Sequence, residues 1–328
     1  MSRSKKRGRS PSSNASGNGQ GRLPEGAVSA KAARTSEASR EPKPVPRDFG
    51  VNLYPGVLRS LGVSALAATQ PALIVGALLF IFAVWLVLLA IGVRAYPAEM
   101  MNLFGMPPFA AQFDGSVGTS IYGSQMGLLA ALGLTVFRAG FFSVLIGVMD
   151  ESLEFGKVTS VGPLRGLQAF PAVLACEYVA LVATLFGGSV GTILGQAAGQ
   201  ILFLLVPIAI MFFLAMPLIA AVVGGFGTRE SLRRGVQASR LPGWSRYLLL
   251  CVLYFMVFAT LPQLLASQLS IITANPGFAT WVVVLGAAFL HIVFVGALIQ
   301  NFRAVAPYLP LIPRPRGGTA AARSRGKR

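Results

Sequence analysis

Residues 132–148, LGLTVFRAGFFSVLIGV, form an apolar run that is interrupted by a single charge, Arg138. The surrounding stretch, 123–149, is long enough to cross the roughly 30 Å hydrocarbon core of a bilayer as a helix. A charged side chain at that depth costs at least about 2.5–3.5 kcal/mol unless it has a partner or reaches the interface. The run therefore indicates a membrane-spanning helix in which Arg138 needs a partner or an exit.

The composition of the whole chain also indicates a membrane protein. Of its 328 residues, 54% are hydrophobic and only 12% are charged, and the mean hydropathy is +0.66. Soluble domains contain roughly a quarter of charged residues, so this composition excludes an ordinary soluble domain. The formal charge of +17 does not indicate a nucleic-acid-binding protein, because the basic residues lie in the two ends of the chain and between the apolar runs.

Six apolar stretches predict an all-α fold, a polytopic membrane helical bundle. Each has the length of about 20 residues that a helix needs to cross a bilayer. The predicted spans are 71–93, 123–149, 171–194, 201–224, 246–272 and 279–303, and together they form a six-helix transmembrane domain, 71–305. The third and fourth spans are separated at the polar residues 195–200, because an unbroken helix of the combined length would be far too long for a bilayer.

The flanking segments are expected to lie outside the bilayer. Residues 1–50 are rich in Ser, Gly, Pro and basic side chains. They cannot bury enough apolar surface to offset the entropy of ordering, so we predict a disordered basic tail. Residues 306–328 are predicted to form a second disordered basic tail. Residues 51–70 predict an interfacial amphipathic helix that lies along the membrane surface before the first span.

The distribution of basic residues predicts the orientation of the chain. With six spans, all of the 28 Lys and Arg residues except Arg94 and Arg138 fall on the same side of the membrane. Basic loops and tails stay in the cytoplasm, so both termini are predicted to be cytoplasmic. The sequence thus predicts a multi-pass protein of the bacterial inner (cytoplasmic) membrane.

Arg138 and Glu177 are predicted to form an ion pair within the membrane. They lie at matching depth in the inner half of two adjacent predicted spans. The expected geometry is a bidentate fork. The pair either fixes the register of the two spans or belongs to a substrate or proton path. The first reading is favoured because a path needs more polar residues than a single pair provides. A third reading has Arg138 reaching toward the interface beside a protonated Glu177.

Two other polar residues, His291 and Gln263, are candidates for an intramembrane polar site. A lone histidine in a membrane span more often forms a helix–helix hydrogen bond than a proton relay. Close packing of the third and fourth spans is predicted by glycines at intervals of four residues, which are Gly187, Gly191, Gly195 and Gly199.

A family resemblance rests on residues 216–258, MPLIAAVVGGFGTRESLRRGVQASRLPGWSRYLLLCVLYFMVF. A proline-containing span leads into a short cytoplasmic helix of the type xSxxRG, residues 231–235, and then into the next span. This layout resembles six-span bacterial membrane proteins related to the membrane domain of glycerophosphodiester phosphodiesterase, and uncharacterised families of similar layout. VLRSLGVSALAATQPALIVGALL, residues 57–79, is similar to their entry into the first span. The resemblance covers residues 55–305 and implies a fold but no reaction, since no catalytic phosphodiesterase domain is attached.

The basic residues of this short helix and the turn after it predict contacts with lipid headgroups. These residues are Arg229, Arg233, Arg234 and Arg240. Each well-placed arginine contributes about 1 kcal/mol of attraction to an anionic leaflet. A charge that only sets the topology is an equally good explanation. At the inner end of the second span, Asp150, Glu151 and Glu154 are expected to form a solvated helix end that offsets neighbouring arginines.

The sequence predicts no enzyme, no cofactor and no metal site. It has no Gly-rich phosphate loop, no nucleophile elbow and no metal-ligand spacing. The predicted function is an accessory or organising role with anionic membrane lipids as partners, and a membrane protein partner is left open. No specific nucleic-acid partner is predicted, and the oligomeric state is not determined by the sequence. The alternative is a transporter or permease subunit with a path near Arg138, Glu177 and His291.

Overall fold

The computed structural model describes residues 52–90, 125–193, 196–273 and 278–309, and the regular structure in these ranges is helical. This confirms the all-α prediction for the described part of the chain. The helices are α1 (Val57–Ala68), α2 (Pro71–Ala90), α3 (Gln125–Phe155), α4 (Val161–Ile193), α5 (Gln196–Val223), α6 (Thr228–Ala238), α7 (Trp244–Thr273) and α8 (Phe278–Val305), followed by a short 3-10 helix, Ala306–Tyr308.

A helix covers each of the six predicted spans, namely α2, α3, α4, α5, α7 and α8. Among the described residues, three segments are long and apolar enough to cross a membrane: Val161–Ala183, Leu205–Val223 and Val284–Tyr308. A fourth results if α1 and the first part of α2, which are bent by 82° relative to each other, count as one span. The structure therefore has three or four candidate spans by length and composition, and six remains a prediction.

Several predicted features lie outside the described residues. These are the tail 1–50, residues 310–328, Gly195, and the surroundings of Gly187, Gly191, Gly199 and Gln263. The second tail was predicted to begin at residue 306, and this boundary is wrong. Ala306–Tyr308 form a 3-10 helix and Leu309 is buried against the core, because this turn continues the packing of α8.

Glycines bring α3 and α4 to backbone distance near the loop that joins them. Gly147 lies against the main chain of Gly162, and Gly166 lies against the main chain of Ser143. A Cβ atom at any of these glycines would overlap the opposite backbone. Small residues allow this close approach of two apolar helices. The contact aligns α3 and α4 in antiparallel register and so places their polar groups side by side.

Helix α6 packs on α5 through the last residue of the xSxxRG motif. A Cβ atom on Gly235 would overlap the backbone of Pro217, so only glycine fits this crossing without displacing a helix. Ser231 donates a hydrogen bond of 2.9 Å to the carbonyl of Thr228 and is buried. The helix begins after Gly227 without a side-chain cap.

Helix α1 lies with its small residues against α8. Ser60 and Ser64 are fully buried, and an added Cβ on Gly296 would overlap Ser64. The Gln300 amide donates to the Ser60 carbonyl at 2.9 Å and to the Ser64 hydroxyl at 2.7 Å. The opposite face of α1 is apolar and outward, with Leu58 84% exposed.

Candidate functional site

Arg138 and Glu177 lie together between α3 and α4. Nη2 of Arg138 is 3.7 Å from Oε2 of Glu177, and the two side chains are 1% and 0% exposed. The Arg138 guanidinium also lies 5.4 Å from the ring centroid of Phe142, one turn further along α3. The structure thus brings together the two charges that the sequence places at matching depth.

The geometry of this pair differs from the expected bidentate fork, which is wrong. A separation of 3.7 Å exceeds a hydrogen bond. Within the described part of the chain, neither carboxylate oxygen of Glu177 has a hydrogen-bond partner. The reading in which Arg138 reaches the interface disagrees with its burial.

His291 forms a separate polar contact between α7 and α8. A hydrogen bond of 2.7 Å joins its Nδ1 atom to the hydroxyl group of Tyr254. Its ring is stacked on Phe258 with 3.5 Å between centroids. The arrangement is the helix–helix hydrogen bond expected for a lone intramembrane histidine.

Asp150 connects the ends of three helices and is fully buried. The solvated position expected for it is therefore wrong, whereas its pairing with neighbouring arginines agrees with the expectation. Its carboxylate accepts from Arg165 of α4 at 2.5 Å and from Nε of Arg303 of α8 at 2.8 Å. Arg303 also reaches Glu154 at 3.0 Å. The carboxylate is buried because it lies where α3, α4 and α8 meet, and two arginines balance its charge there.

Glu151 closes the loop between α3 and α4 and is also buried. It accepts hydrogen bonds from the main-chain N–H groups of Thr159 at 3.1 Å and Gly162 at 2.9 Å, and from the Thr159 hydroxyl. A carboxylate at this position satisfies N–H groups that a helix N-terminus otherwise leaves unpaired. In the described residues no group of three or more His, Cys, Asp or Glu side chains could hold a metal ion.

The basic side chains of α6 and of the turn after it are divided between exposed and buried positions. Arg229, Arg233 and Arg240 are exposed. Arg234 is only 8% exposed, with Nη2 2.5 Å from Oε1 of Glu230. Its guanidinium carbon lies 3.9 Å from the centroid of the Phe226 ring. The predicted headgroup contact is therefore wrong for Arg234, because this residue lies on the face of α6 that packs against the bundle.

The turn between α6 and α7 lies against the segment that precedes α1. The Leu53 N–H donates to the Pro242 carbonyl at 3.2 Å, and Nη1 of Arg246 donates to the Tyr54 carbonyl at 3.1 Å. The Tyr54 hydroxyl donates to the carbonyl of Ala238, and burial raises the pKa of this phenol above its ordinary value. Tyr54 therefore stays a neutral donor at physiological pH and fixes the turn.

Trp244, which was not predicted as a site residue from the sequence, is exposed and lies close in sequence to Arg240 and Arg246. It begins α7, it is 47% exposed, and the centroid of its ring lies 6.1 Å from that of Phe212 on α5. A tryptophan next to arginines at the start of a predicted span is typical of a membrane–water interface, and this signal was present in the sequence.

Comparison of the chain with protein-family models, with curated proteins and with solved structures finds no match. The resemblance to the membrane domain of glycerophosphodiester phosphodiesterase therefore stays a prediction.

Proposed function

We propose that this chain is a non-enzymatic, accessory or organising protein of the bacterial cytoplasmic membrane that binds anionic lipid on its cytoplasmic side. The observation that carries the proposal is the division of the α6 arginines. Arg234 is paired with Glu230 inside the protein, whereas Arg229, Arg233 and Arg240 are exposed. Exposed arginines beside an apolar bundle attract anionic headgroups by about 1 kcal/mol each.

The proposed topology has six spans and cytoplasmic termini. It is supported by the helix that covers each predicted span and by the exclusion of basic residues from one side of the membrane. The 82° bend between α1 and α2 supports a surface position for α1, because a helix perpendicular to a span lies in the membrane plane. Its outward residues, Leu58 and Leu66, then enter the apolar boundary. The proposed layout is that of the resembled six-span families.

The alternative is a transporter or permease subunit, and one observation favours it. The carboxylate oxygens of Glu177 are buried without a hydrogen-bond partner in the described residues, 3.7 Å from Arg138. A half-satisfied polar group costs free energy in a low-dielectric interior, and such groups are frequent in substrate and proton paths. His291 forms its own contacts with Tyr254 and Phe258 of α7.

Native mass spectrometry of the protein extracted into polymer nanodiscs distinguishes the two functions. An anionic lipid or a protein partner that stays bound in fixed stoichiometry supports the accessory function. A bare monomer, together with a solute or proton flux in proteoliposomes that Glu177→Gln abolishes, supports the transporter and contradicts the proposal. Phe137→Leu, at an exposed position of α3, is the control for the effect of substitution in that bundle.

A further inference from the structure

We infer that the seam between α5 and α7 binds one anionic phospholipid, with its phosphate at Arg240 and its acyl chains along apolar stripes on the two helices. The inference rests on the proposed function. It assigns the lipid to one position among the exposed arginines Arg229, Arg233 and Arg240.

The stripe on α5 consists of exposed residues at intervals of four. They are Ile201, Leu205, Ala209 and Phe213. From residue 201 to residue 213 a helix rises about 18 Å, which is close to half the thickness of a bilayer core. This length suits one acyl chain whose head lies at Phe213. The site therefore requires that α5 leaves the hydrocarbon core near Phe213 and that residues 214–223, the later part of the candidate span Leu205–Val223, lie beyond the headgroup level.

The stripe on α7 begins close to Trp244. Leu249 and Met256 are exposed and lie seven residues apart, so they share one face of the helix. The seam between the stripes is closed by Phe212, whose ring centroid lies 5.1 Å from that of Tyr247. The two apolar stripes thus lie next to each other on the outer surface. Both begin where Phe212 of α5 contacts the first turns of α7.

Arg240 and Trp244 lie at the end of the two stripes where the phosphate is proposed to bind. The guanidinium carbon of Arg240 lies 5.7 Å from the ring centroid of Phe213, and Trp244 packs edge-on against Phe212. Arg240 makes no ion pair with any carboxylate of the described residues, and Arg246 adds a second positive charge in the same turn. This turn is fixed by the contacts of Arg246 with Tyr54, so the positive charges are presented without further ordering of the backbone.

The polar residues Arg240 and Trp244, together with the apolar stripes, identify the ligand as a phospholipid. A guanidinium binds phosphate through charge-assisted hydrogen bonds, and tryptophan prefers the headgroup level of a membrane. Two apolar stripes of acyl-chain dimensions exclude a free phosphate, which would use only the polar residues. An acidic protein helix would need the stripes covered by its own apolar face, and the experiment below separates that partner from lipid.

The test uses the full chain in nanodiscs with equal amounts of phosphatidylcholine and phosphatidylglycerol. Wild type, Arg240→Gln, Trp244→Leu and Arg233→Gln are compared with the matched control Lys157→Gln, which removes an exposed basic residue of the loop between α3 and α4. Native mass spectrometry after mild detergent washing measures the phosphatidylglycerol retained per protein. We expect one molecule in wild type and in the control, and about fivefold weaker retention in Arg240→Gln.

The alternative results have distinct meanings. Equal losses in Arg240→Gln and Arg233→Gln would show a diffuse basic face, which overturns the seam site but leaves the proposed function standing. A wild type that retains no phosphatidylglycerol in preference to phosphatidylcholine would overturn both. A retained protein that Arg240→Gln releases, in place of lipid, would overturn the lipid occupant. Loss of retention in Trp244→Leu with Arg240 intact would support a defined position at the interface.

Discussion

At the scale of single residues, the pair Arg138–Glu177 shows how burial and attraction compete. Both side chains have left water, and their 3.7 Å contact recovers only part of the lost solvation. Removal of one partner leaves a buried charge that is not compensated, whereas removal of both leaves apolar groups in an apolar place. The double change is therefore expected to destabilise the protein less than either single change.

Arg138→Leu and Glu177→Leu are each expected to lower the amount of folded protein, by the equivalent of about 3 kcal/mol. The double variant should recover part of this loss. Fluorescence-detected size-exclusion chromatography of a fusion protein, extracted from membranes, measures the folded fraction. Single variants that behave like wild type would show that the two charges do not depend on each other.

A second residue-scale prediction concerns Gly235, where α6 crosses α5. Gly235→Ala places a methyl group into the backbone of Pro217 and is expected to destabilise the fold by about 1–3 kcal/mol through overpacking. Gly62→Ala, at a glycine of α1 with open space around its Cα, is the matched control and should be neutral or slightly stabilising. Thermal unfolding followed by intrinsic fluorescence measures the difference. Equal midpoints for the two variants would contradict the close crossing.

At the scale of elements, Asp150 holds the C-terminal ends of α3 and α8 and the first turns of α4 together. Its two arginine partners come from helices that are distant in sequence, Arg165 from α4 and Arg303 from α8. Glu151 adds hydrogen bonds to the first residues of α4. The cluster therefore works as a junction between the three helices.

Asp150→Asn is expected to lower the thermal midpoint by several degrees, because it leaves two arginines without their shared counter-charge at a cost of about 1–3 kcal/mol. Glu154→Gln removes the charge of the more exposed carboxylate that contacts Arg303 and should change the midpoint little. Thermal shift assays on both variants in the same nanodiscs provide the comparison. A midpoint for Asp150→Asn within error of Glu154→Gln would contradict the junction.

At the scale of the whole molecule, the topology can be measured with single cysteines. Both native cysteines, Cys176 and Cys251, are buried and can be replaced by alanine to give a silent background. Ser13→Cys and Thr319→Cys are expected to be cytoplasmic, and Ser116→Cys external, because six crossings place the loop 94–122 opposite the termini. A membrane-impermeant maleimide on intact cells should label only Ser116→Cys, and a permeant one should label all three. Labelling of only one of the two terminal cysteines by the impermeant reagent would mean an odd number of spans.

Local features of the sequence were sufficient for the helices, the apolar class of the protein and the pairing of Arg138 with Glu177. Helix length, apolar composition and charge position are properties of consecutive residues, and depth along a helix follows from the fixed rise per residue. The same reasoning gave the helix–helix contact of His291. It failed at Asp150, which is a buried junction because α8 returns to α3 from far along the chain.

Arg233 and Arg234 show what only the tertiary structure decided. They are the same residue type in adjacent positions of α6, about 100° apart around the helix, and the sequence treated them alike. Gly235 packs against Pro217. Because of this contact, Arg234 faces the bundle, where it contacts Glu230 and Phe226, whereas Arg233 faces outward. The sequence by itself determined that this helix is basic and where its residues lie relative to one another. Which face became interior was decided by the neighbour that covers it, since burial is a property of the packed helices and not of any one of them.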